Sequence, residues 1–252
     1  MRHGVEMDIH EITKTSKNFD SRKNTDGSIN ISMLVLHYTG MVSAKAALDK
    51  LCDPNSKVSA HLLIDEEGTV YRLVDDEYRA WHAGIAYWKN HRDINSCSIG
   101  IELVNPGHDI GYTLFPRKQI NSLISISKLL QDKYKILPQN IVGHSDIAPS
   151  RKIDPGEFFP WEELSEYGLG LWPHSKGDGH NSDDIFHNLS KIGYADPNNS
   201  ALGADTLKPK TAKNDVLMAF QRHYLPQNMS GLADTKTKHT IESILSLLFT
   251  EN

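Results

Sequence analysis

Met33-Leu34-Val35-Leu36 is an unbroken apolar run that ends on His37, Tyr38 and Thr39. Its length and β-branched content predict a buried strand that delivers a polar side chain at its tip. Ile141-Val142-Gly143-His144 repeats the pattern. Ser98 to Val104 alternates, with Ile99, Ile101 and Leu103 on one face and Gly100, Glu102 and Val104 on the other. Val58 to Ile64, the turn-like Asp65-Glu66-Glu67-Gly68 and Thr69 to Val74 predict a hairpin. Helical spacing of Ile120, Leu123, Ile124, Ser127 and Leu130, between Pro116 and Pro138, predicts an amphipathic helix covering a sheet. A second helix is expected from near Ala44 to before Pro54. Strands alternating with helices around a hairpin indicate an α/β domain with a mixed central sheet flanked by helices.

The pattern also divides the chain. Residues 14–30 are rich in Ser, Asn, Asp, Lys and Gly, which predicts a loop, so 1–30 reads as an N-terminal arm before a first strand near Ser32. The α/β domain then occupies 31–167. Residues 168–183 turn to Gly, Pro, His, Ser and Asp and read as a linker. Within 184–252 three helical patterns follow: Ile185, Leu189, Ile192; Val216, Leu217, Phe220, Tyr224; and Ile241, Ile244, Leu245, Leu248. Each is too short to be stable alone, so they are expected to pack as a small helical bundle. His174, His180, His187 and His223 read as surface residues rather than metal ligands.

Charge and composition narrow the function. A net charge of −5 and a pI near 6.2 give no basic footprint for nucleic acid. Cys52 and Cys97 are too few for a disulfide scaffold and lack thiolate-zinc spacing, so packing is their expected role. No window has the length and apolarity of a transmembrane segment, and the first residues lack a signal peptide's apolar stretch. An export signal could have been removed, so the compartment stays open.

The candidate chemistry lies at His37, His144 and Asp154. Asp154 sits between Ile153 and Pro155, which suggests a restrained, extended loop. Two imidazoles and a carboxylate suit a catalytic zinc ion, because they leave a fourth tetrahedral position for water. Water bound there has its pKa lowered to roughly 7. The competing reading is plain: with 13 histidines in the chain, a histidine at a strand end is often only a polar residue with a satisfied hydrogen bond.

Leu36-His37-Tyr38-Thr39, Ser59-Ala60-His61, Ala80-Trp81-His82-Ala83-Gly84, Ile99-Gly100-Ile101-Glu102-Leu103, Gly143-His144-Ser145-Asp146-Ile147-Ala148-Pro149 and Lys152-Ile153-Asp154-Pro155-Gly156 occur in that order. Together they resemble the signature of the zinc-dependent N-acetylmuramoyl-L-alanine amidases, the AmpD/AmiD-like type 2 family, over roughly residues 30–165. The resemblance implies the fold shared by peptidoglycan-recognition proteins and phage-lysozyme-type amidases. It also implies one Zn2+ per chain held by His37, His144 and Asp154, with Glu102 as general base and acid and Lys152 stabilising the oxyanion.

The residues alone leave alternatives. Glu102 could be a sheet-lining carboxylate paired with a cation. Lys152, two residues before Asp154, can project to the same side of an extended loop or be a solvated surface cation. Arg151 is left out of catalysis. His61, Trp81 and His82 are expected to lie beside the ligands or in the substrate groove, with Trp81 offering an apolar face to a sugar or peptide, or else to be core hydrogen-bonders. Relatives in the phage and recognition-protein group place a tyrosine where this chain has Ala60. That removes a tyrosine-assisted mechanism there and shifts the burden to Glu102.

In the tail, Phe220-Gln221-Arg222-His223-Tyr224, Gly231-Leu232-Ala233-Asp234 and Thr237 resemble the three-helix peptidoglycan-binding domain that accompanies wall hydrolases. A helical appendage that only braces the catalytic domain is the alternative. The expected function is hydrolysis of the amide between N-acetylmuramic acid and L-alanine, with peptidoglycan or muropeptide as the partner. The rivals are a peptidoglycan-recognition module that does not cut and a zinc amidase acting on another N-acyl substrate. A wall-binding tail makes the bacterial periplasm or cell envelope the expected location, with cytoplasmic recycling, to which the missing leader points, as the alternative.

Overall fold

A computed structural model of the chain describes residues 9–22, 30–173, 184–198 and 212–249. The strands in chain order are β1 (Glu11–Thr13), β2 (Phe19–Ser21), β3 (Met33–Tyr38), β4 (Leu62–Ile64), β5 (Val70–Arg72), β6 (Tyr78–Ala80), β7 (Ser98–Leu103) and β8 (Ile141–Gly143). The α-helices are α1 (Ala44–Cys52), α2 (Ile94–Cys97), α3 (Arg117–Tyr134), α4 (His144–Ile147), α5 (Trp161–Glu166), α6 (Ile185–Ile192), α7 (Lys213–Tyr224) and α8 (Thr235–Phe249). Six strands form a mixed sheet in the order β1-β5-β4-β7-β3-β8, and β2 pairs with β6. The strands β4, β7, β3 and β8 run parallel, and the predicted hairpin appears as the antiparallel pair β4 and β5.

The alternation along β7 sorts the two faces of the sheet. Ile99, Ile101 and Leu103 join Leu34, Leu36, Leu62 and Ile64 in a cluster covered by Ile120, Leu123, Ile124 and Leu130 of α3. Gln119 locks that helix down by donating its side-chain amide to the carbonyls of Ile64 and Val104. On the opposite face, Ala47, Leu48 and Leu51 of α1 pack on Leu63, Leu73 and Val104. The rest of that face, including Met33, Val35 and Val142, is covered by Leu189, Val216, Phe220 and Ile244 of the tail.

The structure departs from the sequence pattern at both ends. Residues 1–30 were expected to be an arm, with loop over 14–30, ahead of a first strand near Ser32, yet β1 pairs with the sheet edge at β5 and β2, within 14–30, pairs with β6. Arg22 anchors the segment by donating to the carbonyls of Asp76, Asn95, Ser96 and Ser98. Three-residue strands on an edge take their hydrogen bonds from a distant partner, so they leave no periodicity to read. At the other end, Leu169 is buried under α3 and Trp172 packs against both main clusters, so residues 168–173 of the expected linker belong to the fold. His174 and His180 lie outside the described residues.

The tail forms its three predicted helices, and they share one core with the sheet. Gln221 ties α7 to α8 by donating to the Leu232 carbonyl and the Thr237 hydroxyl and accepting from Gly231 N–H. His187 is exposed. His223 is not the surface residue expected: it is 2% exposed, because it follows Phe220 by three residues on the inward face of α7. Truncation Phe220→Ala, at a fully buried position of the shared cluster, is expected to cost about 3–5 kcal/mol and to lower one cooperative unfolding transition. Calorimetry resolving separate transitions for sheet and tail would contradict the shared core.

Candidate metal centre

His37, the last residue but one of β3, lies directly beside Glu102 of β7 in the strand register. One strand further, β8 ends at Gly143 and His144 opens α4. Asp154 arrives from the following loop, and Ser145 N–H donates to its backbone carbonyl at 2.8 Å, which fastens the loop to the turn that carries His144. All three side chains are buried. The donor atoms form a nearly equilateral triangle: His37 Nδ1 lies 3.0 Å from His144 Nδ1 and 3.0 Å from Asp154 Oδ2, and the third side is 3.1 Å.

The surrounding hydrogen bonds assign which nitrogens carry protons. His144 Nε2 faces the Ala83 carbonyl at 3.1 Å, an acceptor only, so Nε2 is the protonated nitrogen and Nδ1 presents a lone pair. For His37 the assignment runs through three groups. The Ser98 hydroxyl donates to the Ile94 carbonyl at 2.6 Å and therefore accepts from His82 Nε2–H at 3.2 Å. His82 Nδ1 is then an acceptor for His37 Nε2–H at 3.1 Å, and His37 Nδ1 is left bare. Two bare imidazole nitrogens and a carboxylate oxygen thus face one another with no proton between them, an arrangement that repels itself unless a cation lies among the three. Ligand bonds of about 2.0–2.1 Å in tetrahedral geometry put donor atoms about 3.3 Å apart. The triangle is within a few tenths of an ångström of that, so the residues fit one divalent ion.

Electrostatics agree. Burial, reinforced by neighbouring His144, lowers the His37 pKa to about 4, so its imidazole is neutral at physiological pH. Burial also holds His82 well below the usual histidine range, with His37 and His61 adding to it. Burial alone would raise the Asp154 carboxyl; charge and N–H donation from protonated His144 and His37 would hold it well below the ordinary carboxylate range, and in the proton-free triangle that part falls to a cation. Glu102 behaves in the opposite way. Burial and then the nearby Asp154 push it well above the usual glutamate value, while Lys152 pulls it partly back. Its Oε2 atom is buried without a hydrogen-bond partner among the described residues.

These groups line a cleft of about 480 Å³ that contains His37, His82, Glu102, His144, Lys152 and Asp154. Besides the three donors it is lined by Trp81, by the apolar side chains of Met41, Ala47, Leu51 and Val58, and by Lys50. Trp81 is held by its indole N–H, which donates to Asp20 of β2. His61 does not line the cleft. It is fully buried behind His82, its Nδ1 accepting from Gly100 N–H and its Nε2 lying within hydrogen-bond distance of Arg22 and the Tyr78 carbonyl.

Several residues that shape the site were not singled out by the sequence. Arg151 donates to the carbonyls of Ala83 and Ile85, so Ala83 O receives both this guanidinium and His144. Ser98 sets the protonation of His82. Gly100 leaves room for the His82 ring, since a Cβ at that position would lie 2.4 Å from His82 Cγ. The alternation of β7 placed Gly100 on the same face as Glu102, and that was the available signal.

A family profile described as N-acetylmuramoyl-L-alanine amidase matches residues 27–157. The chain is 32% identical to N-acetylmuramoyl-L-alanine amidase AmiD of Escherichia coli over 93% of this chain and 90% of that protein. It is 34% identical to 1,6-anhydro-N-acetylmuramyl-L-alanine amidase AmpD of Haemophilus influenzae, over 63% of this chain and 91% of that protein. The fold is similar to that of Escherichia coli AmiD solved with anhydro-N-acetylmuramic acid-L-Ala-D-γ-Glu-L-Lys, with a TM-score of 0.73, 30% identity, and 92% and 98% of the two chains covered. AmpDh3 of Pseudomonas aeruginosa, solved with an anhydromuramic pentapeptide, gives a TM-score of 0.75 at 30% identity, covering 90% of this chain and 96% of that one.

His82→Ala leaves the His37 Nε2–H without its acceptor and frees the ring tautomer. It is expected to weaken divalent-ion binding about 10–100-fold, measured by competition with a chromophoric chelator. Unchanged affinity in a folded variant would contradict the proton assignment.

Proposed function

The chain belongs to the N-acetylmuramoyl-L-alanine amidase family, and from that premise we propose that it hydrolyses the amide between the lactyl group of N-acetylmuramic acid and the L-alanine of a stem peptide, using one Zn2+ held by His37, His144 and Asp154. The observation that carries the reading is the triangle of unprotonated donors, 3.0–3.1 Å on a side, next to a buried glutamate oxygen without a partner. When bound, zinc supplies a Lewis acid for the scissile carbonyl and lowers the pKa of a water to roughly 7.

The chain's own residues supply the rest. Glu102, beside His37 in the sheet and with a raised proton affinity, takes a proton from the attacking water and hands it to the nitrogen of L-alanine as the carbon–nitrogen bond breaks. The products are the lactyl carboxylate and a peptide with a free amino terminus. Lys152 is half-buried in the cleft wall and its side chain makes no hydrogen bond or ion pair among the described residues, which leaves its ammonium available to the oxyanion. Trp81 and the apolar wall of Met41, Ala47, Leu51 and Val58 offer a surface for the sugar and the stem peptide. His82 acts through His37 rather than on substrate.

A module that only binds muropeptide has no use for a buried carboxyl oxygen without a partner beside an open metal position, and this favours the hydrolase. Among the described residues no helix is long and apolar enough to cross a membrane. The resemblance of α6–α8 to wall-binding modules supports action on wall fragments in the bacterial envelope, and the same chemistry would serve muropeptide recycling in the cytoplasm.

Glu102→Gln is expected to lower kcat about 10²–10⁴-fold with zinc still bound, measured by amine release from a purified muropeptide. Retention of most of the activity would remove Glu102 from the proton transfer. For Lys152→Ala the expected loss is about 10²–10³-fold in kcat with KM little changed. Offered a panel of muropeptides and simple N-acyl amino acids, the chain is expected to cleave only the former, and equal rates on both would favour a general N-acyl amidase.

A further inference from the structure

Asp146 carries a side chain that the chemistry of the site does not use. It lies two residues after His144 within α4 and is 1% exposed. Its carboxylate accepts three hydrogen bonds: from Gly143 N–H at 2.8 Å, from the Tyr194 hydroxyl at 2.7 Å and from His223 Nδ1–H at 2.8 Å. Only the first comes from the α/β domain. Tyr194 follows α6 and His223 belongs to α7, so two of the three donors to this buried acceptor are supplied by the tail. A carboxylate out of water needs its oxygens satisfied, and losing one donor costs the desolvation of the atom it leaves bare.

We infer that Tyr194 and His223 are positioning residues of the metal centre, which the helical tail completes by clamping through Asp146 the turn that carries His144.

The turn has many dependents, and its other ties are the packing of Ile147 and Ala148 in the core and the Tyr87 N–H donated to the Ile147 carbonyl at 2.8 Å. α4 is a single turn. From it Ser145 N–H reaches the Asp154 carbonyl, and the Ala148 carbonyl accepts from Lys152 N–H at 3.0 Å. A shift of α4 would therefore move one imidazole ligand directly and disturb the loop that holds both the carboxylate ligand and the lysine. The clamp is itself rigid. The His223 ring stacks on Trp161 at 3.9 Å, and the same Trp161 would lie 3.4 Å from a Cβ at Gly143. Tyr194 is fully buried and packs edge-on against Trp88 at 5.1 Å, so neither donor can swing away. A pure appendage would be expected to meet the domain through apolar contacts alone. Here it also delivers two directed donors to the residue that fixes a ligand-bearing turn.

The inference rests on His37, His144 and Asp154 being zinc ligands, and the test keeps the two apart. Zinc affinity of the full-length chain is measured by chelator competition, together with the d–d absorption of the cobalt-loaded protein, the thermal midpoint of the zinc-free protein, and kcat and KM on a muropeptide. Tyr194→Phe removes one oxygen and keeps the packing. It is expected to weaken zinc binding about tenfold, alter the cobalt spectrum and lower kcat with KM little changed. His223→Ala should do the same, while His223→Asn, which restores an N–H near the Nδ1 position, should recover most of the affinity. Variants that lose thermal stability but keep the zinc affinity and cobalt spectrum of the unsubstituted chain would overturn the inference and make the tail a brace only. Failure of the unsubstituted chain to bind zinc would instead overturn the ligand assignment.

Discussion

Three lone-pair atoms held about 3 Å apart in a buried pocket are the constraint around which this chain is organised. Without a cation the arrangement is repulsive, and taking Asp154 out of water adds a desolvation cost of several kcal/mol. Neighbouring groups hold the triangle in place and keep it free of protons. The chain from the Ile94 carbonyl through Ser98 and His82 denies His37 Nδ1 a proton. Ala83 does the same for His144, and Ser145 N–H pins the backbone of Asp154. Pre-organisation of this kind would let a bound ion act on water and carbonyl without first gathering its ligands.

The fold explains why such a site can be kept open. One face of the sheet is sealed by α3, whereas the other is covered by two separate bodies, α1 near β4 and the tail near β3 and β8. The strand ends that carry His37 and Glu102 belong to that second face, and the cleft runs from them along α1. The tail is therefore both a cover for the sheet and a wall behind the candidate metal centre.

Much of this was legible in the sequence because the relevant signals were local. An apolar run ending in histidine reads as a strand tip, and the β7 alternation put Glu102 on the face opposite Ile99, Ile101 and Leu103, where the structure has it. The family, its fold and its amidase activity were carried by the order of short motifs. What stayed hidden depends on distant partners. The three-residue strands β1 and β2 exist only through pairing with β5 and β6. Arg151 was left out of catalysis on the sequence, and its place beside the site shows only through its acceptors, the Ala83 and Ile85 carbonyls. His223 had a weak signal, since it falls on the helical stripe of Val216 and Phe220, but its partner Asp146 lies 77 residues earlier and no periodicity connects them.

The central claim, that these three donors hold the metal that cuts the sugar–peptide amide, is tested most directly by mass spectrometry of purified muropeptides. The chain would be assayed as prepared, after chelation, and after zinc is restored. The account predicts release of intact peptides beginning with L-alanine from the lactyl group, abolished by the chelator and recovered with zinc. Cleavage that persists after complete chelation, or intact muropeptides in every sample containing folded, zinc-loaded protein, would contradict it.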